Sequence, residues 1–337
     1  CENEVLGYTG KPDSYYNAII NWVKQRYDLV VAKEMINFVP GIVPGIGMAM
    51  NCFTQKGDKV MIQPPVYHPF AWVTTRNERT LVTNPLKWEN GMYRMDLDTF
   101  REQIKGCKLF ILCNPHNPGG VVWTEAELRA IADICYDEKV LVFSDEIHAD
   151  LTLPPHTHRP FATVSEKARM NSVTFMSPSK AFNMPGLSAS HALIFNEDLR
   201  KRFRIYMDAG ELDMGHVFAF LSVEAAYSHG TEWLDQCLAY IQGNIDFVDD
   251  FLKNHAPKIK AIRPEASYLV WLDCRELKLS QKDLNEFFVD KAHLALNDGE
   301  MFGKEGIGFM RLNVASPRCI IEKAMKQLAD AYQLYIK

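Results

Sequence analysis

The sequence predicts an α/β fold with a large unit, built on a mostly parallel sheet flanked by helices, and a smaller α/β C-terminal unit. Two observations lead there. Between about residues 58 and 195, short β-rich runs alternate with helical segments, the signature of a mostly parallel sheet covered on both faces. Beyond about residue 197 the texture changes to long helices before strand-like runs return.

The elements follow in order. Residues Lys59 to Ile62 and Leu109 to Leu112 are expected strands. Thr124 opens a helix with Glu127 three residues on, the spacing of a capping box. Leu128, Ile131, Ala132 and Cys135 then share one helix face. Val140 to Phe143 and Val173 to Met176 are further strands. Leu234, Leu238, Ile241, Ile245, Val248 and Leu252 step by four and three along one long helix, with Pro257 after its end. The remainder gives a strand at Tyr268 to Leu272, a helix near Gln281 to Lys291 and a strand at Phe309 to Val314. A last helix carries Ile321, Met325, Leu328 and Tyr332. The expected boundary falls near residue 240, giving units of 1–240 and 241–337.

Bulk properties narrow the function. A net charge of −5 argues against a nucleic-acid surface or a polybasic membrane patch, while leaving room for a local basic pocket. No apolar run approaches the roughly 18 residues that span a bilayer. The polar start Cys1-Glu2-Asn3-Glu4 has no basic n-region, and a chain that begins at Cys suggests a preceding segment. Eight cysteines without a C-x-x-C pair fit reduced thiols in the cytoplasm, with no metal or disulfide.

In a parallel α/β sheet, ligands bind beyond the carboxyl ends of the strands. Asn114-Pro115-His116-Asn117-Pro118-Gly119-Gly120 follows one expected strand, Ser144-Asp145-Glu146-Ile147-His148 the next, and Ser177-Pro178-Ser179-Lys180 a third. Three strand ends thus deliver an amide, a carboxylate and a lysine. Singly, each has an ordinary reading as a turn residue, a helix cap or a solvated lysine. Competing motifs are weak. There is no P-loop, Gly45-Ile46-Gly47 lacks the third glycine of a dinucleotide fingerprint, and His156-Thr157-His158 has no carboxylate or Cys at zinc spacing.

Taken together, Asn117-Pro118-Gly119, Asp145-x-x-His148 and Ser177-x-Ser179-Lys180 resemble the fold-type I pyridoxal 5′-phosphate enzymes, the aspartate aminotransferase superfamily. Arg311 in Phe309-Met310-Arg311-Leu312-Asn313-Val314 resembles that family's carboxylate-binding arginine. Leu6-Gly7-Tyr8-Thr9 resembles the segment whose tyrosine reaches the phosphate of a neighbouring subunit. Pro65-Val66-Tyr67-His68-Pro69-Phe70 and Ser144 to Leu151 are most similar to the MalY/PatB branch of cystathionine β-lyase-like carbon–sulfur lyases. In two places the chain departs from ordinary aminotransferases. His148 stands where they carry Tyr, and Ser188 stands where they often place a phosphate-binding arginine.

The resemblance implies roles. Lys180 would carry the cofactor as a Schiff base and then serve as general base. Asp145 would pair with the pyridine nitrogen, Asn117 would donate to the ring oxygen beside His148, and Tyr67 would stack on the ring. Ser177, Ser179 and backbone N–H groups near Ile42 and Val43, just before a helix expected from about Gly45, would hold the phosphate. Arg311, with Asn117, would hold the substrate carboxylate. Tyr8 would cross to the partner's cofactor in a homodimer, and the Asn117–Pro118 bond would be cis. β-Elimination from cystathionine or related S-substituted cysteines, transamination of an amino acid, and a regulatory binding protein that retains the fold all remain open at this point.

Overall fold

The computed structural model describes residues 7–335, so Cys1 and Leu6 lie outside it. Its main sheet has seven strands in the spatial order Ile36–Val39, Ser190–Leu193, Ser172–Met176, Leu141–Asp145, Cys107–Cys113, Lys59–Ile62, Thr80–Thr83. The last five run parallel to one another, while Ser190–Leu193 is antiparallel to both its neighbours. The sheet is therefore mostly parallel, as the alternating pattern predicts. Period-two alternation divides the interior strand Cys107–Cys113 between two apolar clusters. Phe110 and Leu112 enter one, and Leu109, Ile111 and Cys113 the other.

The capping box forms as expected. Thr124 accepts from the Glu127 N–H, and the Glu127 carboxylate accepts from the Thr124 N–H at the start of Glu125–Asp137. A smaller antiparallel sheet orders Lys260–Ile262, Leu269–Asp273, Phe309–Asn313 and Asn297–Asp298. The long helix Thr231–His255 buries Leu234 in one cluster with Trp22 and Tyr227. Its later residues Ile241, Ile245, Val248 and Leu252 enter another cluster with the small sheet and the helix Arg318–Tyr335.

Local chemistry corrects the sequence reading in a few places. The helix expected from Gly45 begins at Ile42 and runs to Phe53, because Pro44 sits in the first turn, where its missing N–H is no loss. Gly41 precedes it at φ 148°, a backbone region that favours glycine. The helix from Gln281 keeps α geometry only to Glu286 and ends in a π turn over Phe287–Lys291. The opening helix Asp13–Tyr27 was not anticipated. Among the described residues no helix is long and apolar enough to cross a membrane.

Candidate active site

Several chain segments converge on a cavity of about 350 Å³ at the carboxyl ends of the parallel strands. Strand Cys107–Cys113 leads to Asn117, strand Leu141–Asp145 ends on Asp145, and strand Ser172–Met176 leads to Lys180. Arg311 reaches the same cavity from the smaller sheet, and Gly41, Ile42 and Val43 close it at a helix start. The walls also include Tyr67, His148 and Ser179.

Burial sets the electrostatics. Asp145 is 4% exposed, and among the described residues the one hydrogen bond to its carboxylate comes from the Ile147 N–H at 3.1 Å. Its pKa is pushed up to about 7, chiefly by burial and further by the Glu146 charge, with the Ile147 N–H and Lys180 opposing. Burial, then the Arg311 charge, lowers the Lys180 pKa against a smaller pull from Asp145. His148 falls to about 3, by burial first and then by Lys180 and Arg311, so its imidazole is neutral near pH 7. Its Nδ1 is buried and has no partner among the described residues.

Arg311 is held by two amides. Its Nη1 donates to Asn117 Oδ1 at 2.9 Å and its Nη2 to Asn297 Oδ1 at 2.7 Å, while its Nε is buried and unpaired. The guanidinium also lies over the Phe302 ring at 4.7 Å. With Asn117 Oδ1 committed to Arg311, Nδ2 remains as its donor. The Asn117–Pro118 peptide is cis.

Two predicted residues stand apart from this cavity. The Ser177 hydroxyl lies behind its walls, donating to the Ala189 carbonyl at 2.7 Å and accepting from the Ser179 N–H at 3.1 Å. Tyr8 is 99% exposed and lines none of these walls. Ser188 does line the cavity, at φ 47°.

Sequence reasoning missed several groups. Asn297 faces Arg311 across two paired strands, a contact that only the sheet register creates. Tyr268, Cys113 and Ser190 complete the walls from positions that look like ordinary strand residues. Behind Asp145, Glu146 accepts from Ser144, Phe161 and His158. His158 belongs to the loop motif that carried no assignment.

The comparisons with known proteins give the family and the fold. The family model for aminotransferase class I and II matches residues 3–328, and the chain belongs to that family. It is 37% identical over 332 residues to the cystathionine β-lyase PatB of Bacillus subtilis, covering 98% of this chain and 86% of that protein. Cystalysin from Treponema denticola, whose crystal structure contains a pyridoxal 5′-phosphate cofactor, matches with a TM-score of 0.96 at 35% identity. That match covers 100% of this chain and 86% of cystalysin. The pyridoxal-phosphate-bound C–S lyase from Staphylococcus hominis matches with a TM-score of 0.90 at 33% identity, over 98% and 86% of the two chains.

The residues fit such a cofactor. An under-coordinated buried carboxylate suits a protonated ring nitrogen, and the first-turn N–H groups after Gly41, which have no side-chain cap, suit a phosphate. The buried, unpaired Nδ1 of His148 leaves one further polar contact on the walls.

Proposed function

We propose that this protein is a pyridoxal-phosphate-dependent carbon–sulfur β-lyase, cleaving L-cystathionine or related S-substituted cysteines to a thiol, pyruvate and ammonia. One observation carries the reading. Lys180, Asp145, Asn117 and Arg311 meet on one cavity in a chain 37% identical to a cystathionine β-lyase.

When bound, pyridoxal phosphate supplies an electron sink for the electron pair left at the substrate Cα. The chain's own residues do the rest. Arg311 binds the α-carboxylate through the donors that Asn117 and Asn297 leave free. Lys180 Nζ, its proton affinity lowered by burial, takes the proton from Cα. Asp145 would pair with the ring nitrogen and hold a proton there, a charge-assisted bond worth roughly 1.5–3 kcal/mol. Asn117 Nδ2 would donate to the ring oxygen with His148 alongside, and Tyr67 would stack on the ring. Ile42 and Val43 N–H groups and Ser179 would hold the phosphate, with Ser177 orienting Ser179 through its N–H and Ser188 standing in the place of an arginine.

The reading includes a homodimer in which Tyr8 reaches the partner's cofactor, a cytoplasmic location, and a division into units of 1–240 and 241–337. The test is incubation with pyridoxal phosphate and L-cystathionine, without a keto acid, following pyruvate. Sustained release with matching ammonia and thiol supports elimination. Absence of pyruvate, with glutamate forming once 2-oxoglutarate and an amino donor are added, would overturn it in favour of transamination.

A further inference from the structure

Behind the site lies a second buried carboxylate that the mechanism above does not use. Glu146 follows Asp145 directly, and its side chain is 0% exposed. Its Oε1 accepts from Ser144 Oγ at 2.8 Å and from the Phe161 N–H at 2.8 Å, and its Oε2 accepts from His158 Nε2 at 2.8 Å. The His158 side chain is 1% exposed, and its Nδ1 meets no partner in the structure. A doubly protonated ring would bury an Nδ1–H without an acceptor. The hydrogen bonds therefore favour an Nε2–H that faces the Glu146 carboxylate.

Asp145 has no comparable support, since a single N–H reaches it. Two adjacent buried carboxylates, one with three donors and one with a single donor, form a costly arrangement until a cation completes the second.

We infer that Glu146 is a positioning residue for the cofactor: its charge, fixed by Ser144, Phe161 and His158, drives Asp145 to bind a cationic ring N–H. This rests on the pyridoxal-phosphate reading. Glu146 is not on the cavity wall, so it acts only through Asp145. The raised proton affinity of Asp145, to which Glu146 contributes after burial, agrees with this. Lys180 opposes from the neighbouring strand end, and the Cys113 thiol and Tyr67 phenol lie near enough to feel the Asp145 charge.

The bland alternative is that Glu146 merely pins the segment from Asp145 to Phe161. Glu146→Gln separates the two. The amide oxygen can still accept from Ser144 and Phe161, and the His158 ring can switch tautomer to accept from the new NH₂, so the shape survives while the charge goes. Apoprotein titrated with pyridoxal phosphate, followed by tryptophan fluorescence and visible absorbance, should show affinity about tenfold weaker at an unchanged melting temperature. kcat should fall similarly, with KM for the amino acid unchanged. A folded E146Q protein with wild-type cofactor affinity overturns the inference.

If E146Q does not fold, His158→Gln serves, because it keeps the Glu146 charge and supplies an amide donor. Cofactor affinity within about twofold of wild type is then expected, and a tenfold loss with the charge intact would show a purely structural role. Wild-type protein that takes up no pyridoxal phosphate sinks the functional reading itself. Wild-type protein that does take it up, beside an indistinguishable E146Q, sinks only this inference.

Discussion

Asn117, Asp145 and Lys180 stand beyond the ends of neighbouring strands of one sheet, whereas Arg311 arrives from a second sheet and is gripped by two amides. In the first group the Asp145 carboxylate receives a single N–H, and Asn117 is the member tied to the second group, through its Oδ1. The second is satisfied on two sides before any ligand enters. The contrast separates two tasks. Groups left short of partners on a rigid wall wait for a resident cofactor, while a cation already oriented by its own partners can release and rebind substrate.

The largest test of this division is Lys180→Ala. The visible absorbance of the lysine-linked cofactor should vanish, and activity should fall by about 10²–10⁴-fold from the lost base alone. A retained band would place the linkage elsewhere. Next, Arg311→Ala should raise KM for the amino acid roughly 10- to 100-fold, the worth of a charge-assisted pair. It should leave cofactor affinity close to wild type. If cofactor affinity fell while KM held, the two regions would not divide the work as described. A few-fold rise in KM is expected for Asn297→Ala, since it removes one exposed hydrogen bond to the guanidinium. Equal effects of Asn297→Ala and Arg311→Ala would mean that orientation, rather than charge, dominates.

The smallest effect concerns pH and the cofactor-free protein. The Asp145 pKa rises on folding to about 7, so the folded state binds that proton more tightly than the unfolded chain does. Its contribution to stability is greatest below the unfolded carboxylate range near 4 and is lost as pH rises to about 7. Buried His116, His148 and His191, held near 4, 3 and 3, work in the opposite sense, favouring the fold above their ordinary range and penalising it as pH falls. The comparison of wild type with Asp145→Asn cancels those histidines. The stability difference measured by denaturant titration should change between pH 5 and 8, and a flat difference would contradict the assignment.

Much of the wall was legible in the sequence because parallel strands end where ligands bind, so residues local to each strand end carry the signal. The helix at Ile42–Phe53 begins three residues before the Gly45 start that the sequence suggests, since Pro44 looks like a boundary unless its tolerance in a first turn is weighed. Asn297 and the Glu146–His158 pair were invisible for a different reason. Asn297 meets Arg311 through strand register, and His158 returns to Glu146 across a 12-residue excursion. Ser177 shows the converse: its type and position suit a phosphate ligand, yet its hydroxyl is spent on the Ala189 carbonyl.

The long helix Thr231–His255 has a consequence for how the chain comes apart. Because Leu234 and the Ile241–Leu252 stripe belong to different apolar clusters on one continuous rod, neither cluster can melt without fraying the other's share of it. A cut at residue 240 would sever the rod itself and strand an apolar half-face on each fragment. Heating the intact chain should accordingly give a single calorimetric transition in place of two separated ones.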